Sequence, residues 1–493
     1  MHSERFRQRA VGRVLVLATV VLVSLFSGGT SAGRQDALAA GTGPCDIYAS
    51  GGTPCVAAHS TTRALFGAYS GRLYQVRRAS DNATTDIGTL SAGGFANAAA
   101  QDSFCAGTSC VISIIYDQTS RGNHLTQAPA GGAAGGPDAL ANASALPISA
   151  GGNKVYGVFV APGVGYRNDA TNGIATGSQA QGEYMVAAGG HVNSGCCFDY
   201  GNAESNARDN GNGHMGAVYF GKLCWFGGVV AGQCNGSGPW VMADLENGLF
   251  AGANGTNLNN SGRSSNFVTG MVKMNSTTYA IKDADANSGG LKVDYNGPLP
   301  TTSGYTPLHL EGGIILGIGG DNSKGSAGSF FEGVMTSGMP TDAAENSVQA
   351  NITSVGYSLS SGGTGATGPV VSGVNGTSCM DNNNGAATPG NKVQMFTCNG
   401  FAPAQSWTVA ANGTLQIDGG CLDITGANFN NGTLIEWWTC NGGSNQQWQA
   451  SNGTLVNPAS GKCLDDPNSN TANGTQLILF TCNGGSNQQW RLP

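Results

Sequence analysis

The sequence predicts an all-β protein: a β-sandwich of jelly-roll-like form over residues 41–359, and a smaller β domain over 375–493 built from three like units. Three observations carry this expectation. Glycine is abundant, 80 of 493 residues, roughly twice the usual share, and charged residues are only 10%. Coiled coils and helical bundles need the reverse balance. Short apolar runs (Val111–Tyr116, Val155–Val160, Met185–Ala188, Ala217–Phe220, Ile314–Ile318) recur between Gly, Asn and Ser clusters, and helical periodicity is scarce. The last part of the chain repeats itself three times. An aromatic share of 8% excludes a disordered tail, and the glycines lack the three-residue period of collagen.

The first 40 residues stand apart. Arg5, Arg7, Arg9 and Arg13 precede an apolar run from Val14 to Phe26, followed by small residues with Ser31-Ala32 and Ala39-Ala40 as cleavage candidates. This is the layout of a signal peptide, and the run is short for a bilayer span, so a secreted protein without a membrane partner is expected. The net charge is −7, and the leader holds more Arg than acid, so the remainder is more acidic still. Without basic runs, nucleic acid is excluded as a partner. All 14 cysteines follow residue 40, an even number that suits disulfides in a secreted chain. Spacing suggests Cys45–Cys55, Cys105–Cys110, Cys224–Cys234, Cys379–Cys398, Cys421–Cys440 and Cys463–Cys482. The adjacent Cys196 and Cys197 then remain for each other, the alternative being separate partners. No CxxC occurs and the histidines do not cluster with cysteines, so no metal is expected.

Residues 360–374 lack periodicity and charge and read as a flexible linker. Beyond them Cys379, Cys421 and Cys463 are 42 apart, as are Cys398, Cys440 and Cys482. Each unit opens Cys-hydrophobic-Asp (Asp381, Asp423, Asp465), continues through aromatic-Thr-Cys-Asn-Gly (Phe396, Trp438, Phe480), and closes on Gln-x-Trp (Trp407, Trp448, Trp490). One unit cannot bury its own apolar face, so three pack about a pseudo-threefold axis. These motifs resemble the ricin-B-type lectin domain, a β-trefoil and family 13 carbohydrate-binding module. The resemblance implies that the Gln-x-Trp tryptophans are core. It implies sugar sites at Asp423, Trp438, Asn445 and Gln446, and at Asp465, Phe480, Asn487 and Gln488. In the first unit Ala404 replaces the Asn, which puts that site in doubt. The aromatic would stack on a sugar face while Asp and Asn bond its hydroxyls.

In the sandwich segment the carboxylates are few: Glu183, Glu204, Glu246, Glu311, Glu332 and Glu345 are its glutamates. In Trp240-Val-Met-Ala-Asp-Leu-Glu-Asn-Gly248, read as a strand, Trp240, Met242, Asp244 and Glu246 share one face, and Val241, Ala243 and Leu245 the other. Two carboxylates beside aromatic surface invite hydroxyl donors, which a sugar supplies. A second apolar stretch, Ile314-Ile-Leu-Gly-Ile, ends at Gly319-Gly320 before Asp321, where glycine permits close approach to a ligand. A bond between Cys196 and Cys197 would close a small ring in front of Phe198-Asp199-Tyr200.

Together these segments resemble the catalytic domain of family 54 glycoside hydrolases, the α-L-arabinofuranosidases. The resemblance rests on Gly43-Pro-Cys-Asp-Ile-Tyr, the string Cys196 to Glu204, Gly238 to Phe250, Gly317-Ile-Gly-Gly-Asp-Asn-Ser323, and Phe331-Glu-Gly-Val-Met-Thr-Ser-Gly338. It implies Glu246 as nucleophile and Asp321 as general acid/base of a retaining mechanism. It implies a vicinal Cys196–Cys197 disulfide against the arabinose, with Trp225, Asp244, Asn247 and Gly320 as further contacts. No cofactor is implied. The implied partner is plant cell-wall polysaccharide (arabinoxylan, arabinan), met by a monomer. Two departures stand out: a longer segment from Cys224 to Cys234, and the lectin-like partner domain. A non-hydrolytic lectin, or an exo-glycosidase for another pentose, stays open. Asp283-Ala-Asp-Ala-Asn-Ser-Gly289 resembles a calcium loop but lacks its Gly and final Glu, so a polar turn is expected there. His191 and His214 are expected to be structural.

Overall fold

The computed structural model describes residues 41–493 apart from 107, 225–233, 253–255, 264, 302–304, 360–366, 410–413, 442, 452 and 458. The expected leader and Trp225 lie outside the described residues. Two antiparallel sheets dominate the first domain. The ten-stranded sheet runs, in spatial order, Leu249–Phe250, Trp240–Asp244, Gly216–Gly221, Asp199–Ala203, Gly313–Leu316, Tyr166–Asn168, Leu125–Gln127, Cys110–Ile115, Arg72–Arg78 and Thr84–Gly88. The other sheet centres on Gln181–Ala188, flanked by Gly328–Ser337 and by Phe267–Met274, Thr278–Asp285 and Ser288–Pro298.

Side-chain alternation explains the sandwich. Tyr200, Val218, Val241, Ala243 and Leu316 project from one face of the ten-stranded sheet into a core shared with Tyr184, Met271 and Phe330 of the other. Gly270 lets the two sheets close in: a Cβ there would lie 3.1 Å from Val241 and 3.2 Å from Val218. Across the pleat, Tyr219, Trp240 and Met242 form a second apolar cluster with Cys197, on the outer face. The site is built on that outer face.

Helices are few among the described residues, and none was foreseen individually; the longest is Asp342–Thr353. Asp342–Thr353 starts at Thr341, whose hydroxyl accepts from Ala344 N. It is pinned to the sheet by Lys273 and Lys282, both bonded to Asp342 and Glu345. Asp283, placed in a turn by sequence, instead lies fully buried in the strand Thr278–Asp285 and pairs with Arg263; the turn comes after it.

The second domain has threefold register. Cys379 faces Phe396, Cys421 faces Trp438, and Cys463 faces Phe480. Trp407, Trp448 and Trp490 are buried, and each indole donates to a carbonyl (Met380, Leu422, Leu464) at 3.0 Å. They are core, as the resemblance implies. The linker expectation needs correcting. Thr367–Gly368 pairs with Trp407–Val409, and Val371–Ser372 pairs with Ser378–Asn382 and Trp490–Arg491. Val370 and Val371 are buried, so apolar side chains draw this stretch into the trefoil. All seven disulfides join the pairs named above, Cys196–Cys197 included.

Candidate active site

Three segments meet on the outer face of the ten-stranded sheet. The first follows Trp240–Asp244. The strand expectation was one residue pair too long: it ends at Asp244, and Glu246 and Asn247 take left-handed φ of 59° and 55°. The turn is held by Leu245 N donating to Gly248 O (3.1 Å) and Glu246 N to Asp244 Oδ1 (3.1 Å). The buried Tyr305 hydroxyl donates to the carbonyls of Leu245 and Glu246. Side chains rarely adopt this backbone unless surroundings enforce it, and here it aims a carboxylate off the sheet.

The second segment is the turn after Gly313–Leu316. Ser323 N donates to Asp321 Oδ1 (2.9 Å), and Gly319 N to Ser323 O (2.9 Å). Gly320 is the contact point with the first segment. A Cβ at Gly320 would lie 2.0 Å from Glu204 Oε2 and 2.8 Å from Glu246 Oε2, so no other residue fits without displacing them. Asp321, half-buried, is thereby set one residue from the Glu246 carboxyl.

The third segment holds the bonded Cys196 and Cys197. A Cβ at Gly319 would lie 3.6 Å from Cys197 Cβ, and Ser323 Oγ lies 3.6 Å from Cys196 Sγ. The disulfide therefore borders the Asp321 turn. Cys224 and Cys234 pack into the cluster of Cys197, Trp240 and Met242, so the extra disulfide forms part of the same wall. Asn247 Nδ2 donates to Asp209 Oδ1 (3.0 Å) at the exposed rim. Of the sequence-predicted set, Glu246, Gly320, Asp321, Asp244, Asn247 and the Cys196–Cys197 pair come together; Trp225 lies outside the described residues.

Sequence reasoning passed over several neighbours. The carboxyls of Glu204, Asp209 and Glu246 have oxygens within 4.8 Å of one another, as do Cys197, Asp199 and Asp244 with the Cys Sγ included. Burial first, then the facing Glu204, pushes Glu246 up to about 12; burial also raises Glu204. Burial raises Asp244 to about 7, and raises Asp199 well above the carboxylate range with Asp244 adding to it. Like carboxyls packed this closely share protons rather than ionise together. Arg167, 2% exposed, donates to the carbonyls of Gly320 (2.6 Å) and Glu204 and pairs with Asp169. It clamps the second segment to the strand end carrying Glu204. The available signal was the short glutamate roster, where Glu204 stood five residues after Asp199. His214 is structural: it bonds Glu311, which also holds Ser205 and Asn210.

In the trefoil, Asn445 donates to Asp423 at 2.9 Å and Gln446 at 2.7 Å, beside Trp438, 39% exposed. Asn487 (2.9 Å) and Gln488 (2.6 Å) hold Asp465 the same way, beside Phe480. In the first unit Gln394 and Gln405, each at 3.0 Å, occupy the two oxygens of Asp381, and Ala404 is buried. Asn383 lies nearby but accepts from Gln394 (3.2 Å), and among the described residues no Asn is seen to donate to that carboxylate.

Comparison with known proteins agrees with this layout. The family model of the catalytic domain of alpha-L-arabinofuranosidase B matches residues 44–358, and that of the ricin-type beta-trefoil lectin domain matches 366–490. A probable alpha-L-arabinofuranosidase B of Aspergillus terreus is 55% identical over 383 residues, 75% of this chain and 74% of that protein. A protein of Trichoderma koningii named arabinofuranosidase/B-xylosidase is 59% identical over 322 residues, 64% of this chain and 63% of its own length. A solved GH54 arabinofuranosidase soaked with a cyclic sulfate inhibitor is 38% identical, with a TM-score of 0.62 over 91% of this chain and 99% of that one. An arabinofuranosidase complexed with arabinofuranosyl-alpha-1,2-xylobiose matches with the same TM-score of 0.62, over 91% of this chain and 98% of that one. The chain thus belongs to the family 54 glycoside hydrolases, the α-L-arabinofuranosidases, and carries a ricin-type β-trefoil lectin domain.

Proposed function

We propose that the protein is a secreted, retaining α-L-arabinofuranosidase that releases terminal non-reducing arabinofuranose from arabinoxylan or arabinan side chains, with the lectin domain holding the polymer. The observation that carries the catalytic part is the single glycine, Gly320, against which the Glu246 carboxyl packs and which is followed directly by Asp321. Two carboxyls flanking one bond are what glycoside cleavage with retention needs. Seven disulfides suit an oxidising, extracellular setting.

Glu246, ionised, attacks the anomeric carbon as Asp321 protonates the departing glycosidic oxygen, leaving a covalent arabinosyl ester. Asp321 then takes a proton from water, whose oxygen replaces Glu246 at the same carbon. Glu246 must give up its proton to act, and the facing Glu204 is the group that takes it: the pair holds one proton between them. Asp244 and the disulfide border the furanose, the first accepting a hydroxyl proton, the second offering an apolar face.

Replacing Glu246 by Ala should abolish hydrolysis of an aryl α-L-arabinofuranoside in a protein that still melts cooperatively. Wild-type rates in that variant would remove Glu246 from the mechanism. A second reading, an exo-glycosidase acting also on xylosides, is favoured by the dual name of the Trichoderma koningii relative. Rates on aryl arabinofuranoside, xyloside and galactofuranoside decide between the two.

A further inference from the structure

A cavity lies between the sandwich and the trefoil. Its volume is about 400 Å³, within the range of small-molecule sites; it borders the third trefoil unit at Gly484, Ser486 and Gln489, and its lining includes neither Asp465, Phe480, Asn487 or Gln488 nor the carboxyls of the catalytic face. From the sandwich it is lined by Gly189, His191, Lys222 and Pro239; from the trefoil by Gly373, Gly484, Gln489 and Arg491, among others.

Three features make this a built site rather than a packing gap. First, two of its lining residues carry a buried polar atom without a partner. His191 is 3% exposed, stacks on Phe159 at 4.0 Å and shares Nδ1 with Ser329 Oγ at 2.7 Å, yet its buried Nε2 makes no hydrogen bond. The Arg491 guanidinium lies over the same Phe159 ring at 4.6 Å and donates through Nη1 to Ala145 O, while its buried Nη2 has no partner. Second, the charge is uncompensated. Arg491 and Lys222 line the cavity, no Asp or Glu does, and no ion pair to either cation is formed among the described residues. A desolvated guanidinium without an anion is costly, and a planar carboxylate matches its fork. Third, several walls are bare backbone: glycines from both domains expose peptide groups and leave room for a ring.

We propose that this interdomain cavity binds a carboxylate-bearing saccharide, a uronic acid unit. Its carboxylate would bond Arg491, with Lys222 at the rim, and a ring hydroxyl would bond His191 Nε2. The ligand would bridge both domains. The site takes an acidic sugar, whereas the catalytic subsite is walled by carboxyls that repel one.

The test is calorimetric titration of the full chain with D-glucuronate, D-glucose and acetate. Glucuronate should bind at least about tenfold more tightly than glucose or acetate. Arg491→Gln should weaken glucuronate binding about tenfold or more. Lys222→Glu, an exposed replacement that places a carboxylate at the rim, should weaken it severalfold while hydrolysis of an aryl arabinofuranoside is unchanged in both. If glucuronate binds no better than glucose, or both variants bind it like wild type, the proposal fails. Acetate binding as tightly as glucuronate would reduce the site to one for simple anions and overturn the saccharide assignment. Should Arg491→Gln fail to fold, Lys222→Glu alone decides.

Discussion

At Gly320 the absence of a side chain makes room for two carboxyls. A methyl group there would overlap Glu204 Oε2 and crowd Glu246 Oε2. Gly320→Ala should therefore lower kcat about a hundredfold, the scale expected of a roughly 1 Å displacement of a reacting group, while the melting temperature moves little. A near-wild-type kcat would show that the carboxyls yield freely. Asp244 carries a second residue-scale expectation. Its ordinary value is 3.8 and burial holds it at about 7, so the folded state keeps a proton that the unfolded chain releases. The unfolded state then binds fewer protons, and stability present below about pH 4 is lost as pH rises toward about 7. Thermal melts across that window should show a decline that Asp244→Asn makes shallower; an unchanged slope would contradict it. The six glutamates of the sandwich segment made a short list that included Glu246, whereas the role expected of Asp321 came only from the resemblance to family 54. The sequence did not show Glu204 facing Glu246, because that pairing depends on the neighbouring order of Asp199–Ala203, Gly216–Gly221 and Trp240–Asp244, which local pattern does not encode.

At the scale of elements, alternation told which face of Trp240–Asp244 is core, since Val241 and Ala243 are apolar and buried and Trp240 and Met242 sit across the pleat. It did not tell where the strand stops. Glu246 continues the alternation in sequence, but its left-handed φ, fixed by Tyr305 from a distant segment, ends the strand. The helix Asp342–Thr353 was missed because its anchors are Lys273 and Lys282, two strand residues that look solvated by composition. The wall formed by Cys224–Cys234 beside Cys197 gives a further prediction. Replacing both by Ala should cost about 2–4 kcal/mol of unfolding free energy and raise KM for the aryl substrate more than it lowers kcat. A fall in kcat with KM unchanged would place this disulfide in the chemistry rather than in the wall.

For the whole molecule, the threefold repeat made the trefoil legible, because cysteines and acids recur every 42 residues and the tryptophans every 41 or 42. The boundary did not follow, since Val370 and Val371 belong to the trefoil core despite their linker-like neighbours. Two of the three units keep an Asn and a Gln on the Asp, and one has Gln394 and Gln405 instead. Asp423→Ala with Asp465→Ala should abolish retention on insoluble arabinoxylan without changing kcat/KM on an aryl substrate, whereas Asp381→Ala should leave retention intact. Equal loss from Asp381→Ala would mean that the first unit also binds.

The proposed covalent ester between Glu246 and the sugar is probed by azide rescue of Glu246→Ala with an aryl α-L-arabinofuranoside of good leaving group. The expected outcome is negligible rate without azide, restored rate with it, and a β-arabinofuranosyl azide as product, formed by attack from the vacated face. Hydrolysis at the wild-type rate without azide would contradict it, as would an azide product of α configuration.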